Sequence, residues 1–222
     1  MRVARRGGGS RSRRRGGPIR GDGRPLRSAG AHHREMRRIA VEVPGVVALV
    51  GPSGVGKSTL AARLFAPDEV LSSDELRGAI RGDPADQSVT HVAFRILHRE
   101  LAKRLADGGL VVVDATNLTR AARLSILRTA QPSRAPVAAL VLVAPGPVIH
   151  ARNAARPGRR VPADVVDRQL AAAAALGSDE SRIAALLRGE GFAAVHVIAT
   201  TDDLAAADSI EIDRVRRPPS RP

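Results

Sequence analysis

Cysteine is the first residue type that this chain lacks. None of its 222 residues is a cysteine, which excludes disulfide bonds and cysteine-ligated zinc. Tryptophan and tyrosine are also missing, and phenylalanine occurs only three times. The core must therefore be built from alanine, valine, leucine and isoleucine. A bound nucleic acid would find few aromatic rings on which to stack its bases and would be held mainly through its phosphates.

Long apolar segments are missing as well. The chain has no run of the roughly eighteen apolar residues that a membrane-spanning helix needs. Its basic N-terminus lacks the apolar stretch of a secretory signal. We therefore expect a protein without membrane contact, in the cytoplasm by default. The length suits one α/β domain with a sizeable core and terminal extensions.

Acidic residues are scarce in the first forty positions. Residues 1–40 contain 13 arginines and only two acids, a net charge of +11, whereas the rest of the chain carries +3. This segment is rich in Arg, Gly, Ser and Pro without apolar periodicity, which predicts a disordered arm. The arm could bind RNA or DNA phosphates. Alternatively it is a dispensable leader from an over-extended start, because Met36 lies just before the domain. We place the domain at 41–213 and a disordered tail at 214–222.

One motif carries most of the functional information. The sequence GPSGVGKS at 51–58 matches the nucleotide-binding pattern G-x-x-x-x-G-K-[ST] without a departure. The glycines let successive backbone N–H groups form an anion nest, Lys57 would reach the β- and γ-phosphates, and Ser58 would ligate Mg²⁺. An apolar run before the motif and a helical segment after it agree better with this function than with a chance glycine-rich turn. The predicted ATP- or GTP-binding loop comprises Gly51, Pro52, Ser53, Gly54, Val55, Gly56, Lys57, Ser58 and Thr59.

The pattern along the chain alternates short apolar runs with segments of helical periodicity. This alternation predicts an α/β fold of the P-loop NTPase type, a parallel sheet with helices on both faces, and a small helical lid at about 152–176. Ligands bind such sheets beyond the carboxyl ends of the strands. The predicted strands are 46–50, 69–71, 110–113, 137–143 and 194–198, and the predicted helices are 59–64, 74–80, 89–106, 120–130, 148–156, 162–176 and 179–189.

A carboxylate follows the second predicted strand. Kinases that phosphorylate a hydroxyl need such a group to orient the hydroxyl and accept its proton, which makes Asp74 a candidate base. Arg77 lies one helical turn later and could hold an anionic group of the acceptor. Equally, Ser72 and Glu75 could form a capping box, and Asp74 could simply favour the helix N-terminus.

The third predicted strand ends at Asp114. An apolar strand that ends in aspartate after a phosphate loop resembles a Walker B element, which holds Mg²⁺ or its waters. Thr116 and Asn117 follow and could position phosphate or the acceptor, although loop capping explains them equally well.

A basic cluster follows the fourth predicted strand. Arg152 and Arg156 share a helix face, and Arg159 and Arg160 follow a Pro-Gly break. Arginines on a lid could close over the ATP phosphates and stabilise transition-state charge. The alternative is a solvated basic face, but no acid occurs between Ala144 and Pro162, which favours an anion site. The four histidines of the domain show no metal-site spacing.

Taken together, these segments resemble the kinase domain of bacterial polynucleotide kinase-phosphatases, RNA-repair enzymes within the P-loop, AAA-type ATP-binding kinases. The matching segments are GPSGVGKST (51–59), VLSSDELRG (70–78), DQSVT (86–90), VVVDATN (111–117) and the lid-like RN..R..R from Arg152. The resemblance covers about residues 45–200. The phosphate loop is shared by a large superfamily, whereas the other segments in combination are much more specific.

The resemblance implies ATP-dependent transfer of the γ-phosphate to a 5′-hydroxyl of RNA or DNA. On that basis Asp74 is the general base and Lys57 a catalytic cation, while Arg77, Gln87 and Asn117 bind the acceptor. Ser58 and Asp114 hold Mg²⁺, and Arg152 and Arg156 contact ATP. The loop at 200–202 would lie beside the adenine. Larger family members carry phosphatase and ligase modules, so we expect this chain to meet such activities as separate partners.

Two other functions fit the same motifs. A small-molecule kinase for a sugar, nucleoside or antibiotic hydroxyl would use the same phosphate chemistry with a different acceptor pocket. A non-catalytic ATP-binding module could use the basic arm to bind nucleic acid without transferring phosphate. The oligomeric state does not follow from the sequence.

Overall fold

The computed structural model describes residues 36–81, 89–156, 160–200 and 209–217, with the Arg81 side chain excepted. Gln87 and Arg159, for which the sequence predicted binding roles, lie outside these ranges. So do residues 201–202 and most of the predicted arm and tail.

The described chain forms seven strands and seven helices. The strands are β1 (Arg37–Val43), β2 (Gly45–Val50), β3 (Val70–Ser72), β4 (Leu110–Asp114), β5 (Val137–Val143), β6 (Ala194–Ala199) and β7 (Ile210–Arg216). The helices are α1 (Lys57–Leu64), α2 (Ser73–Arg81), α3 (Thr90–Ala106), α4 (Arg120–Ala130), α5 (Gly146–Ala155), α6 (Ala163–Ala174) and α7 (Glu180–Glu190). Short 3-10 turns cover Pro67–Glu69 and Gln131–Ser133. No helix in the described ranges is long and apolar enough to cross a bilayer.

Five strands form a parallel sheet in the order β3-β4-β2-β5-β6. In this register Val46 of β2 lies opposite Val111 on one side and Val137 on the other. Because the strands are parallel, the carboxyl ends of β3, β4 and β2 lie side by side. The order therefore brings the segments that follow these three strands, with Asp74, Asp114 and the phosphate loop, to one edge of the sheet.

Both faces of this sheet are buried. Alternate residues of β2 belong to different clusters: Val46 and Val50 join one that includes α3, α4 and α7, whereas Val47 and Leu49 join one that includes α1, α5 and α6. A strand covered on both faces needs a continuous apolar run, which explains why β2, β4 and β5 were predictable from sequence. The predicted α/β fold with helices on both faces is confirmed.

A second, two-stranded sheet corrects the predicted domain bounds. Strand β1 pairs in parallel with β7, with Ile39 opposite Ile212. Residues 37–40, assigned to the arm, and 214–216, assigned to the tail, therefore belong to strands. Ile39 and Val41 are buried, while the alternating residues Arg38, Ala40 and Glu42 are exposed. This alternation within a charged stretch was concealed by the arginines around it, so the sequence analysis missed both strands.

Candidate active site

The phosphate loop connects β2 to α1 through three glycines with positive φ angles. The φ angles are 152° at Gly51, 86° at Gly54 and 106° at Gly56, which caps α1. Side chains avoid this backbone region, so glycine lets the loop fold tightly. A Cβ on Gly54 would lie 3.0 Å from the Ile149 carbonyl oxygen. The loop thus packs directly against α5, and this close approach fixes its position.

Lys57, at the start of α1, folds back onto its own loop. Its ammonium donates hydrogen bonds to the carbonyl oxygens of Gly51 at 3.0 Å and Pro52 at 2.9 Å. Burial lowers the pKa of Lys57 to about 8; nearby Asp114 opposes that shift and Arg156 adds to it. A desolvated cation of this kind gains much from meeting a phosphate, because the anion compensates for the water that the lysine has lost.

A cavity of about 700 Å³ opens above the loop. Asp114, at the end of β4, is buried at its wall, and Ser58 lines it too. A hydroxyl and one carboxylate suit Mg²⁺, which keeps several waters and binds phosphate oxygens rather than a full protein cage. Within the described ranges, no group of three or more histidine, aspartate or glutamate side chains is arranged to hold a metal ion.

Asp74 and Arg77 reach the cavity together from α2. Both line it, and the Arg77 guanidinium pairs with the Asp74 carboxylate. The Glu75 backbone N–H donates a hydrogen bond to the Ser72 hydroxyl at 3.3 Å. Ser72 therefore caps the helix, as the capping interpretation of this segment predicted. Capping by Ser72 leaves the Asp74 carboxylate at the cavity wall, so the helix cap and a role for Asp74 in chemistry coexist.

The predicted lid arginines that the structure describes line the same cavity. They are Arg152 of α5, Arg156 at its C-cap, and Arg160, and Arg168 of α6 joins them. Arg152 also donates to the Thr200 hydroxyl at 3.4 Å, and that hydroxyl donates to the Val55 carbonyl oxygen at 3.0 Å. Thr200, at the end of β6, therefore joins a lid arginine to the phosphate loop.

The predicted lid is anchored to the core. Val166 of α6 is fully buried in the same cluster as Val55 of the loop. Asn153 is also buried, and its side chain makes two hydrogen bonds with the backbone of Val161, at 2.7 Å and 3.2 Å. These bonds join the end of α5, beside Arg156, to the residue after Arg160.

Asn117 has a structural role in the loop that follows β4. Its side chain is 2 % exposed, and its amide donates to the Leu49 carbonyl oxygen at 2.7 Å, which ties the β4 exit loop to β2. With a φ angle of 49°, Asn117 takes the left-handed conformation that asparagine tolerates better than most residues. Thr116, the residue before it, lines the cavity, and the acceptor-binding role of Asn117 stays a prediction.

Six of the nine predicted loop residues line the cavity: Ser53, Gly54, Gly56, Lys57, Ser58 and Thr59. The other three, Gly51, Pro52 and Val55, shape the loop without lining the cavity. Sequence reasoning assigned no role to several other lining residues. The described ones are Ser73, Thr90, Phe94, Ala115, Val161, Pro162, Val165, Arg168 and Gln169. A single polar or apolar residue on an amphipathic helix does not reveal from sequence that it lines a site. Only the excess of arginines around residues 152–160 predicted a binding role for this part of the cavity.

Comparisons with known proteins agree with this geometry. Residues 46–176, more than half of the chain, match the sequence model of a family described as "AAA domain". The chain therefore belongs to this family. No curated protein sequence matches it significantly.

Three solved structures superpose on most of this chain. Kti12 from Chaetomium thermophilum, solved with ADP-AlF3, superposes with a TM-score of 0.50 at 14% identity, covering 73% of this chain and 93% of Kti12. A sugar kinase from Janibacter sp. gives 0.44 at 26% identity over 70% of this chain and 84% of its own. A gluconokinase from Sinorhizobium meliloti gives 0.44 at 21% over 75% and 91%. The Kti12 superposition agrees with the α/β fold, and the phosphate loop lies within the residues that match the AAA-domain family. The narrower resemblance to polynucleotide kinase-phosphatases stays a prediction.

Proposed function

We propose that this AAA-domain protein is an ATP-dependent kinase that transfers the γ-phosphate of ATP to a 5′-hydroxyl end of RNA or DNA. One observation carries the proposal: a single cavity brings the phosphate loop, Asp114 and the arginine-rich wall together with the carboxylate of Asp74. Phosphoryl transfer needs nucleotide positioning, charge neutralisation and a group that activates the hydroxyl, and each has a candidate here.

The nucleotide side of the cavity uses groups with separate tasks. The loop N–H groups and Lys57 would hold the phosphates, and Ser58 with Asp114 would hold Mg²⁺. Bound Mg²⁺ would neutralise charge on the β- and γ-phosphates. Arg152 and Arg156 would contact phosphate oxygens from the lid side, where their charge stabilises the transition state. The Lys57 ammonium is already partly desolvated before ATP binds, so ATP binding requires little further reorganisation of solvent around it.

On the acceptor side, Asp74 would accept a hydrogen bond from the attacking hydroxyl and take its proton as the phosphoryl group transfers. Arg77 would leave its ion pair with Asp74 and bind a phosphate of the acceptor instead. The Asp74 carboxylate would then be available to the attacking hydroxyl. Among the described residues, six cations and two carboxylates line the cavity: Lys57, Arg77, Arg152, Arg156, Arg160 and Arg168 against Asp74 and Asp114. This excess favours an acceptor that brings negative charge of its own, as a nucleic-acid end does.

A small-molecule hydroxyl kinase is the second candidate. The observation that favours it is the Asp74–Arg77 pair itself, because a neutral acceptor needs the base but no additional cation. If the Arg77 guanidinium stays paired with the Asp74 carboxylate during turnover, Arg77 positions the base and does not bind a phosphate of the acceptor.

A labelling experiment separates the two candidates. The full chain is incubated with Mg²⁺, γ-labelled ATP and four oligonucleotides, RNA and DNA, each with a 5′-hydroxyl or a 5′-phosphate. We expect label only on the 5′-hydroxyl strands. Label on a sugar, nucleoside or antibiotic acceptor with none on the oligonucleotides would favour the second candidate. ATP binding without transfer to any acceptor would indicate a non-catalytic module.

A further inference from the structure

Gln169 connects the lid helix to the phosphate loop. Its side-chain oxygen Oε1 accepts a hydrogen bond from the Ser53 backbone N–H at 2.7 Å. A backbone N–H can only donate, so the amide atom that faces it must be the oxygen. The amide nitrogen Nε2 then points elsewhere. It has no hydrogen-bond partner in the part of the chain that the structure describes, and Gln169 lines the cavity.

The same peptide group of the loop also holds Lys57. The Pro52 carbonyl oxygen, which accepts from the Lys57 ammonium at 2.9 Å, belongs to the peptide whose N–H is that of Ser53. Lys57, this peptide and the Gln169 amide therefore form a continuous chain of hydrogen bonds, and each bond polarises the next. The lysine of such a loop reaches the β- and γ-phosphates. The Gln169 amide is therefore one peptide group away from the residue expected at the terminal phosphates.

Packing of the neighbouring residues of α6 against the core fixes the position of Gln169. Val166, one turn earlier on α6, is fully buried, and Leu170, the next residue, packs against the same cluster. Val55 of the phosphate loop belongs to this cluster too. The amide is therefore carried on a rigid element that shares its packing with the loop, which is the arrangement that a binding group needs for a defined geometry.

We propose that Gln169 is a nucleotide-binding residue that distinguishes ATP from ADP: Oε1 stays on the Ser53 N–H, and Nε2 donates a hydrogen bond to the terminal phosphate of ATP. This inference rests on the proposed nucleotide site but not on the identity of the acceptor. The competing role is a purely structural brace, in which only the Oε1 contact matters.

Gln169→Glu separates the two roles. The substitution keeps the shape and an oxygen on the Ser53 N–H, but it replaces the donor with an anionic oxygen. Equilibrium binding of ATP and ADP with Mg²⁺ to the full chain is measured by calorimetry. We expect ATP affinity to fall about tenfold or more, the scale of one hydrogen bond to a charged group, and ADP affinity to fall about twofold at most. Gln131→Glu, the same change on an exposed turn, serves as the control and leaves both affinities unchanged.

Other outcomes overturn the inference. Equal losses for ATP and ADP, or no loss for either, would show that Gln169 only braces the loop. If the glutamate variant does not fold, Gln169→Leu, which lacks both polar atoms, must still lose the preference for ATP. A wild-type chain that binds neither nucleotide would refute the proposed function and this inference together. ATP binding with no labelled oligonucleotide would affect the acceptor assignment alone.

Discussion

At the scale of single residues, the phosphate loop depends on close contact between backbone atoms. Gly54 and Gly108 have nearly the same φ angles, 86° and 81°, but a Cβ on Gly54 would lie 3.0 Å from the Ile149 carbonyl oxygen, whereas one on Gly108 meets nothing within 4 Å. Alanine at either position costs about 1–2 kcal/mol for the left-handed backbone. We predict that only Gly54→Ala also displaces the loop and weakens ATP binding, by about tenfold or more.

Calorimetry on both alanine variants checks this prediction, since Gly108→Ala controls for backbone strain. Equal ATP affinities in the two variants would show that the loop tolerates movement away from α5.

The ammonium of Lys57 gives ATP binding a pH dependence with a defined sign. Its pKa in the free protein is about 8, because burial disfavours the charged form, and a bound phosphate favours that form again. Above this pH, binding must be accompanied by proton uptake, so ATP affinity should fall up to about tenfold between pH 7 and pH 9. ATP titrations at the two pH values measure the effect. Lys57→Met should bind weakly and almost independently of pH; an equal slope in that variant would assign the effect to another group.

At the scale of elements, a buried ion pair joins α4 to α7. Arg123 and Glu190 are 3% and 5% exposed, and two guanidinium nitrogens each donate to a carboxylate oxygen at 2.7 Å. Arg123 also donates to the carbonyl oxygens of Asn117 and Leu118 in the β4 exit loop. We predict that Arg123→Met lowers the free energy of unfolding by about 3–5 kcal/mol, because it leaves the buried Glu190 carboxylate with only the longer contact to the exposed Arg120, at 3.8 Å.

Urea denaturation measures this loss. The double variant Arg123→Met with Glu190→Leu should recover much of the stability, because it removes the unpaired charge. A double variant as unstable as the single one would mean that the loop carbonyls, not the carboxylate, depend on Arg123.

The sequence predicted the elements of the main sheet well and the peripheral sheet not at all. Strands such as β5, fully apolar and flanked by turns, and helices such as α4 could be located from pattern alone. The β1–β7 pair could not, because it joins residues about 170 positions apart and exposes one face, so neither strand is an apolar run. For the site, the phosphate loop was predictable from its spacing. The contacts of Gln169, Thr200 and Asn117 were not, since they depend on how distant elements pack.

At the scale of the whole molecule, the arginine-rich N-terminal residues and the candidate active site lie in different parts of the chain. Residues 1–35 contain 11 arginines and two acids, whereas the described residues that line the cavity come from positions 53–169. We predict that a chain of residues 36–222 binds single-stranded RNA about tenfold or more weakly at low salt and with a smaller salt dependence, since fewer phosphates are neutralised. Its rate of phosphate transfer at saturating acceptor should be unchanged.

Filter binding across a salt series, together with the labelling assay, tests this separation. A truncated chain with the full-length affinity would show that the N-terminal arginines take no part in RNA binding, and a slower transfer rate would show that they act in the reaction.

The most direct test of the account compares Asp74→Asn with the wild-type chain in two measurements: ATP affinity and label transfer from γ-labelled ATP to a 5′-hydroxyl oligonucleotide. The variant keeps the size of the side chain but cannot accept the proton of the hydroxyl. The account predicts unchanged ATP binding and a transfer rate at least about a hundredfold lower, the usual scale of general-base catalysis. Transfer at the wild-type rate would contradict the role of Asp74, and an absence of transfer by the wild-type chain itself would contradict the proposed function.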